Sequence, residues 1–220
     1  MHSVFVGIDV QKKRPCAVAA IDADGCPVEQ NWFRTPEDIV NFLKHDIVRN
    51  PINTQIAAVG IDAPRQGLLS PREWYWDGKR RDWRGRGPKD KGSGRHCEAV
   101  LKAAGLANPQ WTPLVSAAQA WMQLGFRLFR DMSSHWPVHE VFPTASYAQV
   151  AKAGAVITVD LKVFATGPKD MLDAYVSAWT VREYTAKRGA SVGGGDGLGA
   201  IVLPCPLLSP SPKLLVWPGR

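Results

Sequence analysis

Val4-Phe-Val-Gly-Ile-Asp-Val10 and Gln55-Ile-Ala-Ala-Val-Gly-Ile-Asp62 are short apolar runs, each interrupted near its end by an aspartate. Runs of this length and composition suit strands buried on both faces. Between them, Pro15–Asp22 and Pro27–Phe33 flank the turn signal Asp22-Ala-Asp-Gly25 and read as a hairpin. Thr35-Pro-Glu-Asp38 then marks a helix start: Thr35 can cap, Pro36 fits the first turn and the acids complement the dipole. Ile39, Phe42, Leu43 and Ile47 follow at helical spacing. Three strands, a helix and a strand make an antiparallel meander, after which the helix returns the chain so that the fourth strand lies parallel to the first.

The 220 residues suit one large domain. Hydrophobic residues make up 45% and charged residues 21%, which excludes wholesale disorder and leaves enough apolar surface for a core. No apolar run approaches the roughly 20 residues of a membrane span, and the start lacks a basic segment and a cleavage site, so neither an anchor nor a signal peptide is expected. Cys16, Cys26, Cys97 and Cys205 are scattered, which argues against a zinc ribbon and fits a reducing cytoplasm. Further along, Glu98–Ala104 and Leu114–Arg130 read as helices, Val138–Phe142 as a strand, Pro143–Val150 as a short helix and Pro168–Lys187 as a long one. The expected organisation is one domain over 1–203, with a basic aromatic loop at about 70–96, followed by a Pro-rich tail over 204–220. The tail is expected to be extended, although Leu214-Leu-Val-Trp217 could dock.

Five acidic residues at four places along the chain stand out. Asp9 ends the first strand, Asp62 ends the fourth, Glu140 lies in the fifth, and Asp170 and Asp173 open the last long helix. Parallel neighbours would bring Asp9 and Asp62 out at one sheet edge, where open α/β sheets place their ligands. Asp170 and Asp173, three apart, share a helix face that continues through the small residues Ala174, Ser177 and Ala178 to Val181, so the helix can approach the sheet closely. Converging carboxylates repel one another unless a cation sits among them, and oxygen ligands suit Mg²⁺ or Mn²⁺. Two such ions about 4 Å apart form the usual clamp for phosphodiester cleavage. Each acid alone has a plainer reading, as a turn or helix-start residue; the chemical reading rests on their joint placement.

The charge is uneven. Arg72–Arg95 carries nine basic and four acidic side chains, a net +5 of the chain's formal +7. Trp74, Tyr75, Trp76 and Trp83 are interleaved with those cations, a composition that suits a phosphate backbone with bases to stack on. A solvated surface loop is the plainer alternative. The glycines at 85, 87, 92 and 94 suggest a mobile loop.

Gly7-Ile-Asp9, Gly60-Ile-Asp-Ala-Pro64, Arg95-His-Cys-Glu98, Glu140-Val-Phe-Pro143 and Lys169-Asp-Met-Leu-Asp-Ala-Tyr-Val-Ser-Ala-Trp179, in this order, resemble the domain-of-unknown-function 429 family, predicted nucleases of the ribonuclease H-like superfamily. The resemblance runs from about residue 4 to Pro204. It implies an α/β fold with a mixed five-stranded sheet of order 3-2-1-4-5, strand 2 antiparallel, flanked by helices. By position it makes Asp9, Asp62, Asp173 and Asp170 catalytic metal ligands for Mg²⁺ or Mn²⁺, and puts Glu140 at the family's acidic position before Pro143. The partner it implies is DNA or RNA, for which Lys12, Lys13, Arg80, Arg81, Trp83, Arg84, Arg86 and Arg95 are the candidate contacts. Where the family has a Lys-Gly-Gly-Trp type turn after its first Asp, this chain has Val10-Gln-Lys-Lys-Arg-Pro15.

The leading expectation is therefore a metal-dependent nuclease. A non-catalytic nucleic-acid-binding module of the same fold is the second reading, and a phosphotransferase or ATPase of the actin-like branch is the third, disfavoured because 220 residues leave no room for a second lobe. Gly189-Ala-Ser-Val-Gly193 matches a nucleophile elbow by chance, as no His follows Ser191. The glycine run 193–199 lacks a P-loop ending and reads as a flexible connector. His135 and His139, with Pro137 between them, are a poor zinc pair, and His96 reads as a partly buried structural residue. Trp111, Trp121 and Trp179 read as core.

Overall fold

The computed structural model describes residues 2–47, 54–154 and 169–219. Strands β1 (His2–Asp9), β2 (Cys16–Asp22) and β3 (Pro27–Phe33) form the expected meander. Helix α1 (Pro36–Phe42) follows, with the Thr35 hydroxyl accepting the Asp38 N–H at 3.1 Å, and continues as a π-helical turn to Ile47. Strand β4 (Thr54–Asp62) runs parallel to β1, in a register that sets Gly7 beside Gly60 and Asp9 beside Asp62.

The main sheet has seven strands, not five, in the order β3-β2-β1-β4-β7-β9-β8. Strand β7 (Val138–Val141) is parallel to β4. Strands β8 (Ala190–Gly193) and β9 (Ala200–Leu203) are the two additions. They flank the glycine run 193–199 that reads as a flexible connector. Its glycines at 193, 194, 197 and 199 all take positive φ and turn the chain back as a hairpin. The adjoining strands are only four residues each, too short for periodicity to signal them.

Two apolar layers cover the sheet. On one face Val4, Val6, Ile8 and Ile61 pack against Ile39, Phe42 and Leu43 of α1 and its extension, and against Leu128, Phe129 and Met132 of α3 (Ala120–Met132). On the other, Phe5, Ala17, Ala19 and Ala58 meet Ala174, Tyr175 and Ala178 of α5 (Lys169–Thr185). The expected start of this helix at Pro168 lies outside the described residues. Helix α4 (Pro143–Ala153) follows β7 directly and ends at Gly154, whose φ of 63° supplies a left-handed cap.

The basic segment is not a structureless loop. It folds as a two-stranded hairpin, β5 (Trp74–Asp77) and β6 (Asp82–Gly85), with Trp76 and Trp83 paired across it. A third apolar cluster joins this hairpin to α2 (His96–Ala103), β8, β9 and the tail. The tail docks through the short helix α6 (Pro212–Leu215): Leu214 is buried, and Trp217 packs against Trp83 and His96 at ring distances of 5.1 and 5.2 Å. His96 is wholly buried. Its Nδ1 accepts the Gly195 N–H at 3.1 Å, and its Nε2 lies 2.9 Å from the Leu214 carbonyl oxygen. No helix among the described residues is long and apolar enough to cross a membrane.

Candidate active site at the sheet edge

Two glycines place the acids. A Cβ at Gly7 would sit 1.8 Å from the Ala174 carbonyl oxygen, and one at Gly60 would sit 2.8 Å from that of Ser177. With no side chain at either position, α5 lies directly on β1 and β4. Ala174, Ser177, Ala178 and Val181 form the contact face and are fully buried. The first turns of α5 then carry Asp170 and Asp173 to the carboxyl ends of the strands, where Asp9 and Asp62 emerge. Asp170 and Asp173 both act on Asp9 there, and Asp173 also acts on Asp62.

Asp9 is buried and accepts a hydrogen bond from Gln11 Nε2 at 2.8 Å. Its carboxyl also shares a hydrogen bond with that of Asp62. Burial, and then the charges of Asp170 and Asp173, raise the Asp9 pKa to about 6 despite the Gln11 bond. Asp62 is pushed well above the ordinary range by burial and by the charges of Asp9 and Asp173. Asp173 accepts a hydrogen bond from the Tyr147 hydroxyl at 3.0 Å and pairs with the exposed Lys169. Burial and the nearby Asp173 raise the Tyr147 pKa, so the phenol stays a donor. Asp170 pairs with Arg14 at 2.9 Å. Among the described residues no group of three His, Cys, Asp or Glu side chains forms a ready metal cage. The nearest approach is the Asp9–Asp62 pair, with the helix acids held by Lys169 and Arg14.

A cavity of about 910 Å³ opens on this edge. Asp9 and Asp62 line it at the strand ends, with Gln11, Lys12, Lys13 and Arg14 from the β1–β2 turn beside them. Lys12 and Lys13 are exposed.

Glu140 lines the same cavity but is committed elsewhere. Arg95 donates from NH1 and NH2 to its two carboxylate oxygens at 2.7 and 2.5 Å, and the Arg65 N–H adds a bond at 2.9 Å. Arg95 also binds Glu98 at 3.0 Å, and Glu98 accepts the Thr112 N–H at 3.0 Å. This group ties α2, β7 and the 106–112 loop together. Arg95, 1% exposed, is therefore a buried internal partner and not a surface contact for a polyanion. Trp83 is likewise engaged, packed on Trp76, His96 and Trp217 with its indole N–H donating to the Lys213 carbonyl at 2.8 Å. Arg80, Arg81, Arg84 and Arg86 are exposed on or beside the hairpin, apart from the cavity lining. Arg84 is paired with Asp90.

Sequence reasoning passed over several lining residues. Gln11, Asn108, Gln110 and Gln119 are neutral amides in turns and helix starts, where no periodicity marks them. Trp121 was expected in the core. It packs half-buried against the first apolar layer and also lines the cavity, whereas Trp179 is buried as expected. No protein-family model, curated protein or solved structure matches this chain.

Proposed function

We propose that this protein is a metal-dependent hydrolase of phosphodiester bonds in nucleic acid, with a ribonuclease H-like arrangement at its centre. The observation that carries this reading is the Asp9–Asp62 pair. The buried Asp9 and the half-buried Asp62 are set side by side by strand register, and desolvation together with neighbouring acids raises the pKa of each. Such a site is costly unless a cation completes it, and its all-oxygen donor set suits Mg²⁺ or Mn²⁺. The order β3-β2-β1-β4-β7 around the pair, within the seven-stranded sheet, supports this reading.

Asp9 and Asp62 would hold the ion, with Asp173 and Asp170 able to join once Lys169 and Arg14 release them. The bound ion would supply charge neutralisation at a phosphoryl oxygen. Gln11 fixes the orientation of Asp9, and Tyr147 does the same for Asp173. Lys12 and Lys13 at the rim, and the basic hairpin further off, would attract the polyanion. The hairpin's net charge also favours a second reading, a binding module with an inert acidic centre.

Thermal unfolding with and without Mn²⁺, for wild type and Asp9→Asn, separates the two. At a hundred times Kd, binding to the folded state adds about 2.7 kcal/mol, or roughly 5–10 °C in Tm for a chain of this size. That rise, its loss in Asp9→Asn, and Mn²⁺-dependent cleavage by wild type alone are the expected results. No rise at saturating ion, together with retained nucleic-acid binding, would leave the binding module.

A further inference from the structure

The cavity is larger than a cluster of carboxylates requires. At about 910 Å³ it falls near the top of the range for small organic ligands, roughly 300–1,000 Å³. Its lining also changes in kind. Besides Asp9, Asp62 and the ion-paired Arg95, Glu98 and Glu140, it includes the amide-bearing Gln110 and Gln119 and the aromatic Trp121 and Phe142. The Trp121 N–H donates to Gln119 Oε1 at 2.9 Å, which fixes the indole and leaves the Gln119 amide nitrogen as a spare donor. The Gln110 side chain has no partner among the described residues and offers both a donor and an acceptor.

One class of ligand needs all of these features together: a phosphate for the acid–cation end, a flat π-face for an indole, and a polar edge for carboxamides. We infer that the part of the cavity lined by Gln110, Gln119 and Trp121 receives a single unpaired nucleobase. The unit bound is then one nucleotide, with its phosphate toward Asp9 and Asp62 and its base at Trp121. The phosphate end of this placement rests on the function proposed above; the base end rests on the lining alone. A base held in a duplex cannot reach such a recess without leaving its stack. Strand ends, single strands and extruded nucleotides are therefore the substrates that fit, and paired segments are not.

The test is calorimetric titration of the full chain, in the presence of Mn²⁺, with a nucleoside 5′-monophosphate, ribose 5-phosphate and inorganic phosphate, none of which has a phosphodiester to cleave. The nucleotide is expected to bind at least 10-fold more tightly than ribose 5-phosphate. Trp121→Ala should abolish that advantage while leaving the Mn²⁺-induced rise in Tm intact. Gln110→Ala, at an exposed position that leaves folding unaffected, should alter the preference among the four bases. Equal affinity for nucleotide and ribose 5-phosphate, or nucleotide affinity unchanged in Trp121→Ala, would overturn the base site. Failure of the metal reading is seen separately, as a wild type that Mn²⁺ does not stabilise.

Discussion

Two groups of carboxylates line one cavity, and they are treated in opposite ways. At one end Glu98 and Glu140 meet Arg95, a fully buried cation that the fold itself supplies, with main-chain N–H groups from Arg95, Arg65 and Thr112 completing their bonding. At the other end Asp9 and Asp62 have no internal cation. They share a hydrogen bond. Among the described residues the cations paired with the helix acids are Arg14 and Lys169, side chains 64% and 71% exposed, and Lys12 and Lys13 at the rim are exposed too. Acids at strand ends are thus not equivalent. Those whose countercharge is built in hold the structure together, and on the proposed reading those whose countercharge is displaceable are the ones that receive an ion from outside.

The largest expected effect is at the satisfied end. Arg95→Met strands two buried carboxylates and should cost about 3–5 kcal/mol, a large part of a domain's stability. Urea unfolding measures it. Adding Glu98→Gln and Glu140→Gln to Arg95→Met should recover most of the loss, because no unpaired charge remains. If Arg95→Met alone is neutral, the ion pair does not organise this end of the cavity and the contrast fails.

The unsatisfied end should respond with the opposite sign. The Asp9 pKa is about 6 in the folded chain against 3.8 as the ordinary value, so between those pH values the folded state holds more proton than the unfolded one. Asp9 therefore weakens the fold as pH rises from about 4 through 6, by on the order of 3 kcal/mol when complete. In metal-free buffer at pH 7.5, Asp9→Asn should be more stable than wild type, and the difference should vanish near pH 4. Comparing the two proteins across pH isolates Asp9 from carboxylates elsewhere, such as Asp90, which Arg84 holds low. A variant less stable than wild type at pH 7.5 would show that Asp9 is a structural acid like Glu140.

The sequence exposes these two ends unequally. Asp9 and Asp62 stand out because each closes an apolar run, and strand order alone brings such ends together. The helix acids stand out because small residues follow them at helical spacing. Glu140 looks equivalent to these from its strand position, and nothing in local pattern shows that Arg95, 45 residues away, has taken it. The outer strands were illegible for a similar reason. Ala190–Gly193 and Ala200–Leu203 are defined by pairing with β7 and with each other, and their glycine-rich connection carries the composition of a flexible link. The basic hairpin hides its order in the same way, since Trp83 gains its place from Trp217, 134 positions later.

The smallest expected effect refines the idea of a displaceable countercharge. Lys169 lies four residues before Asp173 on the exposed side of α5, a geometry in which ion pairs contribute only a few tenths of a kcal/mol. Lys169→Met should therefore shift unfolding by less than about 1 kcal/mol, far below the effect of Arg95→Met. Its larger consequence should be on ion binding. With the ammonium gone, Asp173 no longer divides its charge between a side chain and an incoming cation, and Mn²⁺ affinity measured by calorimetry should rise several-fold. If affinity falls instead, Lys169 assists the centre by orienting Asp173. The two ends of the cavity would then differ in the exposure of their cations, while both rely on cations supplied by the chain.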